Sequence, residues 1–217
     1  MEHEQSSSRA AHWQSVYEHK ADRETSWFQD EPVPSIDLVR CCLPRGGRVV
    51  DVGGGTSALA GQLAQQGFDV TVVDISSAAI DRARIRAGHL AERIRWVVAD
   101  VTSLHDLGEF DLWHDRAAFH FLTAHDDRLR YAALAAKSVV PGGHLVLGAF
   151  GTNGPEQCSG LPVERYDEAK IAVAFADGFA LARSLSHTHI TPWGKPQEFF
   201  YAVMQRTDSK AGPETGR

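Results

Sequence analysis

The chain has 217 residues, 43% of them hydrophobic, and 22 Lys and Arg against 28 Asp and Glu leave a formal net charge of −6. That balance argues against a general nucleic-acid binder, whose phosphate contacts need clustered cations, and no run approaches the ~18 apolar residues of a membrane helix. Three cysteines, Cys41, Cys42 and Cys158, form no disulfide framework; a reducing cytoplasm is therefore the expected compartment.

In chain order, residues 1–8 have the composition of a flexible tail, as does "DSKAGPETGR" at 208–217. Residues 9–207 are long enough for one domain with a real core and short for two. Within them 9–45 read as a helical lid, with helices at about 9–20 and 34–43. Residues 46–150 alternate strand and helix: strand 48–52, helix 56–66, strand 69–74, helix 76–88 with Ser76 as N-cap, and strand 94–100. Strand 110–115, helix 126–138, a "PGG" turn and strand 144–150 follow. Residues 151–207 supply a loop at 151–163, a helix at 164–176 and strands at 179–191 and 198–206.

Apolar strands separated by helices predict a parallel sheet covered on both faces. The last two strands lie too close together for a parallel crossover, so they predict an antiparallel hairpin. The expected fold is α/β: a doubly wound, Rossmann-like, seven-stranded sheet, mostly parallel with one antiparallel edge strand.

"DVGGGTS" at 51–57 ends the first strand, where the ligand crevice of an open α/β sheet lies. Its glycines permit positive φ and close approach to a ligand, and the helix that follows offers unpaired N–H groups. The next strand ends in Asp74, at about the spacing of 20 residues at which a carboxylate takes a ribose diol. A third strand ends in Asp100. A nucleoside cofactor is expected; the segment lacks the last glycine of G-x-G-x-x-G and the Gly-Lys-Ser/Thr of a P-loop, which disfavours NAD and ATP.

With Ser57 in place of the usual last glycine, "DVGGGTS" resembles the Asp/Glu-x-Gly-x-Gly-x-Gly motif of class I S-adenosylmethionine-dependent methyltransferases. The resemblance covers about residues 12–206 and extends to five strands followed by a helix and a terminal hairpin. It implies S-adenosylmethionine as cofactor and S-adenosylhomocysteine as product. By position, Gly53 and Gly55 would pass under the methionine part and Asp51 would stand near its amino end. Asp74 would hold the ribose with Ile75 against adenine, and Asp100, beside Val101, would take the adenine amino group. "HWQSVYEHK" and "TSWFQDEP", together with "HDRAAFHFL", are similar to a small bacterial subgroup, one relative of which methylates protein lysines. Trp27 and Phe28 would then help close the cofactor site; as ordinary core aromatics they would not.

Methyl transfer is an in-line displacement needing a positioned nucleophile, exclusion of water and often a proton acceptor. In "FDLWHDRAAFHFL" the candidates are His114 and His120 as general bases and Asp115 as orienting group, with Arg116 lining the acceptor pocket. Their structural alternatives are an Asp115–Arg116 ion pair and histidines bonded to carbonyls. Loop 151–163 carries Cys158 among small turn residues, a context that suits a site better than a core. His187 and His189 share one strand face, with Trp193 in the next turn; a pocket rim or a solvated face fits them better than a metal. No metal is expected, and the cysteine spacing does not suit a three-thiol arsenic site.

With no inserted substrate domain, a small-molecule acceptor is expected, and the chain would act as monomer or homodimer without nucleic acid or membrane. A thiol or sulfide is preferred, since a thiol ionises near ~8.5. A phenol or carboxylic acid is the alternative, as is a protein lysine.

Overall fold

A computed structural model describes residues 2–207; the tail expected at 208–217 lies outside them. In chain order its elements are α1 (Glu2–His19), α2 (Ser35–Cys42), β1 (Arg48–Val52), α3 (Leu59–Gln65), β2 (Asp69–Asp74), α4 (Ser77–Ala87), β3 (Ile94–Val98) and β4 (Phe110–Arg116). Then come α5 (His125–Ser138), β5 (Val139–Phe150), the two-residue strands β6 (Gln157–Cys158) and β7 (Leu161–Pro162), α6 (Glu168–Ala174), β8 (Phe179–Ile190) and β9 (Pro196–Arg206).

Seven strands form one sheet in the order β3-β2-β1-β4-β5-β9-β8. The pairs from β3 to β5 are parallel, while β9 runs antiparallel to both β5 and β8, so the one reversed strand lies beside the edge strand. Side chains alternate across each strand. Val50, Val52, Trp113, Leu145 and Leu147 join α5 and α6 in one core, whereas Val49, Leu112 and Val146 join α2, α3 and α4 in the other. The valine-rich strands are apolar on both faces because both faces are covered.

Four departures from the expected elements have local causes. α1 starts at Glu2, so the stretch expected as a tail is helical; Ser6 and Arg9 tie it to Asp100. "PGG" at 141–143 lies within β5 as an irregularity in its pairing with β4, between Phe110 and Leu112. α3 begins late because the Ser57 hydroxyl takes the Leu59 N–H and holds 56–58 as a turn. α6 begins late because Glu164 and Tyr166 donate their N–H groups to His120 and Phe150, leaving Asp167 to cap the helix through the Lys170 N–H. Ser76 caps α4 as expected, accepting from the Ala79 N–H at 3.2 Å.

Candidate active site

The first strand ends in a glycine turn that the fold requires. Gly53 has φ +65°, and a Cβ there would lie 2.4 Å from the Ala118 methyl; Gly55 has φ +50°, and its Cβ would lie 2.4 Å from the Tyr17 hydroxyl. Both conformations penalise side chains. Asp74 locks the turn: its Oδ2 accepts the Gly55 N–H at 2.9 Å and its Oδ1 the Ser76 N–H at 2.9 Å. Burial pushes the Asp74 carboxyl up to about 6, against two backbone donors that lower it.

A hollow of about 760 Å³ opens here. Gly53, Asp74, Ile75, Asp100 and Val101 border it from the sheet side, with Arg9, Trp13, Tyr17, Trp27 and Phe121 closing it from above. Asp100 is already engaged: its Oδ2 accepts from Ser6 Oγ at 2.7 Å and Arg9 at 2.9 Å, its Oδ1 from the Thr102 N–H and hydroxyl. These bonds overcome burial and hold its carboxyl below the usual range. Arg9 also pairs with Asp127, and Gln14 accepts from Ser76, Ser77 and Ala78 at the start of α4. α1 thus seals the hollow.

A second hollow, of about 500 Å³, adjoins the first through Trp27, Gly53 and Arg116 and reaches Ser35, Asp51, Ser57, His114 and Phe28. Among the described residues, two buried charged atoms of its lining side chains lack a partner, Asp51 Oδ2 and Arg116 Nη2. Arg116 is otherwise fixed: it donates to the Trp27 carbonyl at 2.8 Å and Tyr201 Oη at 3.1 Å, and its guanidinium lies 4.7 Å from the Phe199 ring centre. A carboxylate oxygen and a guanidinium nitrogen left open along one cavity suit a zwitterion, since buried charges need partners. Phe28 stands between Arg23 and Arg86, 5.1 and 5.3 Å from its ring.

Other expected site residues go elsewhere. Asp115 follows His114 on β4 and so points through the opposite face of the sheet. Fully buried there, it accepts from the Ala118 and Phe119 N–H groups and from Tyr131 Oη, a structural role in place of the catalytic one expected. His120 is buried against Phe150, whose N–H it accepts at 3.2 Å; burial lowers it to about 3, which makes it a poor base at neutral pH. His114 borders the second hollow, but both its nitrogens are taken, by Asp51 at 2.7 Å and Ser35 at 2.8 Å.

Cys158 is also a correction. Its Sγ is buried 3.7 Å from Ser26 Oγ, outside both hollows, and burial raises its thiol above the ordinary value. A raised thiol is a poor nucleophile. Under native conditions we expect a disulfide reagent such as Ellman's to titrate exposed Cys41 fastest and to reach Cys158 only on unfolding. Rapid native labelling of Cys158, read by peptide mass, would return it to the site.

His187 and His189 share a face as expected, but it borders a separate groove with Arg23 and Asp30. His189 donates to the Ser26 carbonyl at 2.6 Å, and Trp193 is exposed in the β8–β9 turn. Among the described residues, no three His, Cys, Asp or Glu converge as a metal site, and no helix is long and apolar enough to cross a membrane. Sequence reasoning missed Arg9, Trp13, Tyr17 and Ser35. The first three recur every fourth residue, one stripe of α1, and that spacing was a usable signal.

The class this fold and crevice define is the methyltransferase fold, and residues 49–143 match the family described as a methyltransferase domain. Among individual relatives, the ubiquinone biosynthesis O-methyltransferase of Alkalilimnicola ehrlichii is 31% identical over 122 residues, which are 54% of this chain and 48% of that protein. The chain therefore spans about half the length of that curated relative. Burkholderia thailandensis 1,6-didemethyltoxoflavin-N1-methyltransferase, solved with 1,6-didemethyltoxoflavin and S-adenosylhomocysteine, superposes with a TM-score of 0.74 at 23% identity, over 95% of this chain and 90% of that one. A structure described as "Conversion of a Disulfide Bond into a Thioacetal Group during Echinomycin Biosynthesis" gives 0.75 at 21% identity, over 90% and 91%.

Proposed function

We propose that the protein is a methyltransferase that uses S-adenosylmethionine to methylate a small molecule, preferably a thiol or sulfide. The observation that carries this is the joining of the two hollows. One offers Asp74 and Asp100 beside a glycine turn, a nucleoside cradle; the other offers an open carboxylate oxygen and an open guanidinium nitrogen, a zwitterion cradle. S-adenosylmethionine has both ends; NAD and ATP lack the second. When bound, it supplies an electrophilic methyl group on sulfur.

The chain's own residues then do four things. Asp74 accepts the ribose hydroxyls, Asp51 and Arg116 take the amino-acid end, and Asp100 with Val101 receives the adenine. Trp13, Trp27 and Phe121 pack edge to face, with ring centres 4.8 and 5.7 Å apart, and exclude water from above. Among the described residues no histidine borders the first hollow, so the acceptor arrives with a nucleophilic lone pair or an easily lost proton. A thiol or sulfide meets that condition.

O-methylation of a phenol or carboxylic acid is the second reading. The curated relative is itself named as an O-methyltransferase. A protein lysine fits less well: the carboxylates bordering the hollows are committed to the cofactor, leaving none to receive an ammonium group. The segments "TSWFQDEP" and "HDRAAFHFL" support placement in the small bacterial subgroup.

Incubation with methyl-labelled S-adenosylmethionine and panels of thiols, phenols, acids and cell lysate tests the reading. Label on a small thiol or sulfide is expected. Label confined to a protein band would overturn the small-molecule acceptor, and calorimetry without heat for S-adenosylhomocysteine would overturn the cofactor.

A further inference from the structure

Ser35, His114 and Asp51 form a buried line reaching from α2 through β4 to β1. His114 Nδ1 lies 2.7 Å from Asp51 Oδ1, and its Nε2 lies 2.8 Å from Ser35 Oγ. All three are at most 2% exposed. A carboxylate only accepts, so Nδ1 carries a proton, and in the neutral ring Nε2 accepts the Ser35 hydroxyl. The ring is thereby held in one tautomer and one orientation. Its partner, Asp51, keeps its other oxygen unpaired at the wall of the second hollow.

We infer that His114 is a positioning residue: with Ser35 it aims Asp51 Oδ2 at the ammonium group of the cofactor's amino-acid end, selecting S-adenosyl amino acids over other nucleosides. The inference rests on the cofactor reading above. Three observations support it. Asp51 Oδ2 lies 2.9 Å from where a Cβ on Gly54 would stand, so it is the glycine that leaves that oxygen its place beside the turn. Asp51 donates nothing and accepts at Oδ1 only from His114, so removing the imidazole frees the carboxylate to rotate about its terminal torsion. Ser35 belongs to α2, which packs against β4 and β5 and so gives the imidazole a rigid back-stop.

The same three side chains follow the atom order of an acyl-transfer triad. The open Asp51 oxygen distinguishes them, because it offers a cation site beside the hollow.

The test compares two ligands sharing one nucleoside: S-adenosylhomocysteine and 5′-methylthioadenosine, which lacks the amino-acid end. In His114→Ala, calorimetry is expected to show S-adenosylhomocysteine binding weakened about tenfold or more and methylthioadenosine binding changed less than about threefold. His114→Asn should recover most of the loss, since its amide N–H still donates to Asp51. Ser35→Ala should show the same selective loss at smaller size. Equal losses for both ligands, or no loss for either, would overturn the inference. Covalent labelling of Ser35 by a fluorophosphonate would also overturn it, by assigning the trio to acyl transfer. Failure of the wild-type protein to bind either nucleoside would instead sink the cofactor reading.

Discussion

Asp74→Ala should weaken S-adenosylhomocysteine binding by about 1–3 kcal/mol, roughly 5- to 150-fold, in a calorimetric titration. Two ribose hydroxyls lose their acceptor, and the Gly55 and Ser76 N–H groups lose theirs, so the glycine turn loosens as well. The wild type should also show a pH signature. Burial raises the Asp74 carboxyl to about 6 from its ordinary 3.8. A diol donates best to the ionised form, so affinity should fall as pH drops through about 6. Asp74→Asn should bind weakly and without that dependence. The stability of the ligand-free fold runs the other way: the raised value favours folding below 3.8, and that benefit disappears as pH rises through about 6. Unchanged affinity in Asp74→Ala would refute the ribose placement.

Asp115→Ala should cost stability and spare binding. The variant leaves the Ala118 and Phe119 N–H groups and the Tyr131 hydroxyl without their acceptor in a fully buried place. Tyr131 in turn accepts from the Trp113 indole N–H at 2.8 Å, so the loss reaches into the core beneath the sheet. About 3 kcal/mol is the expected cost, a fall in Tm on the order of 6–12 °C. Cofactor affinity of the folded protein should stay within about threefold. A variant with wild-type melting and abolished methyl transfer would put Asp115 back at the reacting atoms.

β1 and β2 were legible in the sequence to the residue, because strands buried on both faces read as short valine-rich runs, here each preceded by a glycine turn. Asp74, proposed to hold the ribose, was placed for a related reason: it ends β2, and strand ends face the crevice. The acceptor residues were harder. In "WHDRAAFHFL" the period of two already separates His114 from Asp115, but which face meets the hollow depends on how α2 and α5 pack. Cys158 read as a site residue by its small, turn-forming neighbours, while residues distant in the chain gather it into a core cluster beside Ser26. The partnership of Arg9 with Asp100 spans most of the cofactor half, and no local pattern announces it.

The helix that roofs the nucleoside cradle is fastened to the very carboxylate on which a purine would be expected to rest. With adenine placed as proposed, each arrival or departure of cofactor would have to renegotiate Asp100 with Ser6 and Arg9. Trimming the chain's leading decapeptide would unfasten that gate, so that spent nucleoside leaves sooner and fresh nucleoside is retained less well.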